Sequence, residues 1–135
     1  MNFTMGMNIL VAEDSVAYGV LYQEIFQSKG HTVKLTFDGQ ECVDEYSSNK
    51  SYDVVILDYG MPKKNGLDAA KEILAINPKQ NIVFISSFGD QLESQIEDLG
   101  WGKKVQFVEK PFSSVALVNK VEQQYSESLQ KIPAK

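Results

Sequence analysis

The 135 residues fit one domain with one core, and a composition of 43% hydrophobic and 23% charged residues is ordinary for a soluble protein. Thirteen basic against eighteen acidic residues leave a net charge of -5, which argues against broad nucleic-acid binding, a task for a basic field. A single cysteine, Cys42, excludes an intramolecular disulfide and a Cys-based zinc site and points to a reducing, cytoplasmic setting; Met1 to Asn8 lacks the basic and apolar regions of a secretory signal, and no apolar run approaches the roughly 20 residues that span a bilayer.

Asn8 to Ala12 is a short apolar run ended by Glu13-Asp14, the pattern of a strand buried on both faces. Ser15 is placed to cap a helix whose apolar positions Val16, Val20, Leu21 and Ile25 recur at helical spacing, with Gly30 as its stop. His31 to Phe37 alternates as a second strand, with the only histidine partly exposed at its start. Asp38-Gly39 is a turn, and Gln40 to Ser48 is predicted as a helix burying Cys42, Val43 and Tyr46. Tyr52 to Leu57 is a third strand that ends at Asp58. The loop Tyr59-Gly60-Met61-Pro62-Lys63-Lys64-Asn65-Gly66 follows, with Lys63-Lys64 expected to be solvated.

Leu67 to Ile76 is a helix closed by Asn77-Pro78. Asn81 to Ile85 is a fourth strand ended by Ser86-Ser87, and Asp90 to Leu99 a helix stopped by Gly100. Trp101 is read as a loop anchor, with a place on the signalling face beside Phe107 as the alternative; it precedes the fifth strand, Val105 to Val108, which ends at Glu109-Lys110-Pro111. Ser113 or Ser114 caps a last helix whose stripe is Leu117, Val118, Val121 and Tyr125. Five alternations of strand and helix imply an α/β domain, a parallel sheet covered on both faces by right-handed crossovers.

The polar residues fall in one kind of place. Glu13-Asp14, Asp58, Ser86-Ser87 and Lys110 each follow the apolar run of a different strand. In a parallel sheet those ends share one edge, where ligands bind. Three carboxylates together call for a proton or a cation, and hard oxygen ligands suit Mg²⁺. With Mg²⁺ and Lys110 the site is near neutral. An incoming phosphoryl group would meet a cation, an ammonium and the Ser86 hydroxyl, and Asp58 is placed to be its nucleophile.

Order, spacing and strand-end placement of Glu13-Asp14, Asp58 with Met61-Pro62 and Gly66, Ser86 and Lys110-Pro111 resemble the receiver domain of two-component response regulators. The likeness covers about residues 7 to 128, with residues 1–6 as an extension and 129–135 as a tail. It implies a doubly wound, flavodoxin-like five-stranded parallel sheet of order 2-1-3-4-5 with five helices. It implies that Asp58 accepts a phosphoryl group from a histidine kinase or histidine phosphotransfer protein. It further implies that Asp14, Asp58 and the Gly60 carbonyl hold Mg²⁺, with Glu13 assisting through water, and that Lys110 contacts the phosphoryl group. Ser86 would then move toward the phosphoryl group and Phe107 would change rotamer. A downstream partner would dock on the face formed by the fourth helix, fifth strand and fifth helix, with a homodimer as a further possibility.

Gly60 and Phe88, two residues beyond Asp58 and Ser86, offer no amide or carboxylate to orient water, so slow dephosphorylation is expected. Three other readings remain open: a receiver fragment of a larger regulator, a Mg²⁺-dependent phosphohydrolase of the haloacid-dehalogenase type, and a receiver-like module that is never phosphorylated. The phosphohydrolase wants an acid where Gly60 stands.

Overall fold

A computed structural model of the chain describes residues 6–49, 51–87, 89–110 and 113–130. The strands are β1 (Asn8–Ala12), β2 (Thr32–Thr36), β3 (Val54–Asp58), β4 (Asn81–Ser86) and β5 (Val105–Glu109). The helices are α1 (Val16–Gln27), α2 (Gly39–Ser48), α3 (Gly66–Ile76), α4 (Gly89–Leu99) and α5 (Ser114–Gln130), with a 3₁₀ turn at Gly102–Lys104. All strand pairs are parallel and the order is β2-β1-β3-β4-β5. This is the expected doubly wound sheet, with ends shifted by a residue or two.

Alternate strand residues divide the core in two. Leu10, Val55, Leu57, Ile82 and Phe84 pack with α2, α3 and α4. Ile9, Val11, Val54, Ile56, Val83 and Ile85 pack with α1 and α5. Both faces of the sheet are therefore removed from water, which is why β1, β3 and β4 read as unbroken apolar runs. Cys42, Val43 and Tyr46 are buried as expected, and Leu117, Val118 and Val121 anchor α5 with Tyr125 packed partly against them.

The expected face of α1 is corrected. Val16, Val20 and Leu21 are exposed, at 63%, 41% and 44%, and the helix instead buries Gly19, Tyr22 and Phe26. Gly19 faces Leu35, whose side chain lies 3.6 Å from where a Cβ would stand, an ordinary contact distance. His31 is also corrected: it is buried, not half-exposed. Its Nδ1 accepts the Met7 N–H at 3.0 Å and its Nε2 faces Glu122 Oε2 at 3.0 Å, tying β1, β2 and α5 at the edge opposite the acidic residues. Lys63 and Lys64 are not merely solvated, since Lys63 pairs with Asp38 and Lys64 with Glu72. Trp101 is partly buried and, like Phe107, packs against the core cluster that α4 joins.

Candidate phosphoryl-transfer site

Parallel register carries the polar residues to one edge. Ala12 aligns with Leu57, Asp58 with Ile85, and Ser86 with Glu109, so the carboxyl ends of β1, β3, β4 and β5 emerge together. Backbone bonds lock that edge: Glu13 N–H donates to the Thr36 carbonyl at 3.0 Å, Tyr59 N–H to Ile85 at 3.0 Å, and Lys110 N–H to Ser86 at 2.8 Å. The result is a cavity of about 410 Å³. It is lined by Glu13, Asp14, Asp58, the backbone at Gly60, Ser86 and Lys110, as the sequence led one to expect, together with Ser15, Tyr18, Tyr59 and Ser87.

Carboxylate oxygens of Glu13, Asp14 and Asp58 lie within 4.8 Å of one another. Glu13 and Asp58 are buried and Asp14 is exposed. Asp58 Oδ1 accepts a long hydrogen bond from Gly60 N–H at 3.4 Å, and Lys110 Nζ stands 3.7 Å from Asp58 Oδ2. One lysine cannot neutralise three acids. Burial pushes the Glu13 carboxyl up to about 7, helped by the charge of Asp58 and a hydrogen bond with it; the Ser15 N–H at 3.1 Å and Lys110 pull the other way. Glu13 Oε1 is buried without a hydrogen bond of regular geometry.

The donor set therefore fits a hard divalent cation: clustered oxygen ligands, surplus negative charge and an under-coordinated buried oxygen. Glu13, Asp14 and Asp58 are the residues that could hold such an ion. When bound, such an ion supplies positive charge that offsets the phosphoryl oxygens.

Ser86 is buried in the cavity wall, and Phe107 lies opposite Phe84 on β5, half-buried in the core under α4. Pro111 and Phe88 lie outside the described residues. Tyr18 and Ser15 are the residues that sequence reasoning missed. Ser15 was placed only as a helix cap, and Tyr18 N–H indeed donates to its Oγ at 3.3 Å. The available signal was that a capped helix starting directly after the acidic pair turns its first-turn side chains over the same edge.

Comparison with known proteins agrees with this geometry. Residues 9–122 match the response regulator receiver domain family. The chain is 35% identical to the chemotaxis protein CheY of Thermotoga maritima, over 87% of this chain and 98% of that one. It is 33% identical to the transcriptional regulatory protein RprY of Bacteroides fragilis over 86% of its own length, but spans only 48% of that longer protein. A receiver domain of the Francisella response regulator 1452 superposes with a TM-score of 0.77 at 26% identity, covering 91% of this chain and 99% of that one. A receiver domain protein from Clostridium thermocellum, at 22% identity, shares the fold with a TM-score of 0.82 over 92% and 98% of the two chains. Matched through nearly its whole sheet, and carrying the acidic cluster at the edge where the register brings it, the chain belongs to the response regulator receiver domain family.

Proposed function

We propose that Asp58 is the phosphoacceptor of a two-component signalling pathway and that the cognate phosphohistidine is its donor. The observation that carries this reading is the placement of the Lys110 ammonium 3.7 Å from a buried carboxylate that also belongs to a three-acid cluster. In transfer, an Asp58 carboxylate oxygen bonds to phosphorus as the donor's P–N bond breaks. The electron pair leaves on the imidazole, which takes up a proton. Lys110 and the Ser86 hydroxyl offset charge on the phosphoryl oxygens. Asp14, Asp58 and the Gly60 carbonyl would hold Mg²⁺, with Glu13 assisting through water, and the ion would supply positive charge against the phosphoryl oxygens.

Signalling follows by population shift, because contacts of the new dianion with Ser86 and Lys110 favour one arrangement of the β4 and β5 ends over another. Phe107 reports that change toward α4 and α5, where a protein partner docks. Phe107 has no hydroxyl, so its switch rests on packing alone. The acyl phosphate is held for long periods, since Gly60 supplies no group to orient water.

The test is incubation with a small acyl phosphate and Mg²⁺, then mapping of the modified residue by mass spectrometry. One phosphoryl group on Asp58, absent in Asp58→Ala, is expected. Modification elsewhere would overturn the assignment.

A further inference from the structure

Tyr18 lies outside the acidic set, yet it lines the same cavity. The Ser15 cap fixes it in the first turn of α1. The Lys110 Nζ sits 5.5 Å from the centre of its ring, within cation–π reach. The same ammonium stands 3.7 Å from Asp58 Oδ2, longer than a hydrogen bond. The ammonium thus lies within reach of both an aromatic face and a carboxylate rather than being clamped onto the acid.

The ring is itself supported. Tyr18 stacks on Tyr22, with ring centres 6.3 Å apart and planes 25° from parallel. Tyr22 is 1% exposed in the core beneath α1. Its phenol is pushed up by burial and then by the negative charges of Glu13 and Asp58. Tyr18, by contrast, is 52% exposed, so core packing does not account for the placement of its ring.

We propose that Tyr18 is a positioning residue for phosphoryl transfer: its face holds the Lys110 ammonium beside Asp58, and its ring walls the α1 side of the cavity against water. This inference rests on the phosphoacceptor reading of Asp58. A lysine on a flexible four-carbon stem samples many rotamers, and a flat, polarisable surface on one side restricts them. The same surface hinders hydrolysis, in which a water oxygen bonds to phosphorus, the acyl P–O pair returns to Asp58, and the water's protons pass to phosphate and solvent.

The test compares the native chain with Tyr18→Phe and Tyr18→Leu. Phosphorylation by a small acyl phosphate with Mg²⁺, and hydrolysis after the donor is removed, are followed separately. Tyr18→Leu should slow phosphorylation at saturating donor and speed hydrolysis, each by about two- to fivefold, the range that a solvent-facing cation–π contact supports. Tyr18→Phe keeps the face and should restore both rates.

A metal-free readout is the ring-current shift of the Lys110 ε-methylene protons, upfield in the native chain and in Tyr18→Phe, and lost in Tyr18→Leu. Native rates in Tyr18→Leu, with its Lys110 resonances still at their native upfield positions, overturn the proposal while leaving Asp58 as acceptor. A native chain that takes no phosphoryl group at Asp58 defeats both readings.

Discussion

Gly66 lies against the backbone of Asp58: a Cβ at position 66 would stand 2.5 Å from the Asp58 carbonyl oxygen and 2.9 Å from the Tyr59 Cα. The Gly66 N–H closes the same loop onto the Tyr59 carbonyl at 2.9 Å. The first residue of α3 therefore holds the chain that carries the acceptor, and both colliding atoms are backbone with little room to yield. Gly66→Ala should destabilise the fold by about 1–3 kcal/mol, as overpacking does, and slow phosphorylation of the fraction that remains folded. Urea unfolding and phosphorylation kinetics on the same preparation would show it; an unchanged midpoint would mean the loop can move.

Glu13 makes metal-free stability depend on pH. Its carboxyl is raised from 4.5 to about 7 in the folded chain, chiefly by burial. Between those values the folded state keeps a proton that the unfolded chain has released, so stability falls as pH rises through the window and levels off above it. Glu13→Gln should flatten that slope. Chemical denaturation at pH 4.5, 6 and 7.5 in the presence of a chelator measures it, and equal slopes in the two proteins would contradict the assignment.

Magnesium should reverse the penalty. An ion that binds the folded acids and not the unfolded chain stabilises by about 2.7 kcal/mol at one hundred times its dissociation constant. Binding also requires deprotonated carboxylates, so the gain should grow from pH 5 to pH 7.5. Thermal unfolding with and without Mg²⁺ tests this, and Asp58→Asn should lose most of the gain. A gain of the same size in Asp58→Asn would place the ion elsewhere.

Position 60 is open. A Cβ built on Gly60 meets nothing within 4 Å, and the residue lines the cavity beside Asp58. Gly60→Asn should therefore fold normally and place an amide where water approaches the acyl phosphate. Its phosphoryl lifetime should be shorter than native, by about tenfold if the amide contributes one hydrogen bond to the attacking water. The decay of phosphorylated protein after donor removal is the measurement. A native lifetime in Gly60→Asn would remove water orientation as the reason for slow release.

Much of this architecture was legible in the chain because parallel strands leave a local record. The interiors of β1, β3 and β4 are apolar since both sheet faces are covered, and each gives way to polar residues where it leaves the core. That record named Glu13, Asp14, Asp58, Ser86 and Lys110 before any contact was known. Helix α1 was misread because it carries apolar residues on more than one face. Val16, Val20 and Leu21 form a plausible stripe, whereas the buried face runs through a glycine and a tyrosine, Gly19 and Tyr22, which a hydrophobic count ranks low. His31 was misjudged for a similar reason: its burial depends on Met7 and Glu122, partners supplied by distant segments.

The sequence by itself determined the alternation of strands and helices, the polar strand ends and the chemistry that a carboxylate cluster with a lysine can do. These follow from residue type and short-range period. Only the tertiary structure decided the 3.7 Å approach of Lys110 to Asp58, the burial that raises Glu13, and the meeting of Lys110 with the ring of Tyr18. Such quantities depend on how helices lie against the sheet. That geometry is set by packing summed over the whole core, and no local pattern in the chain records it.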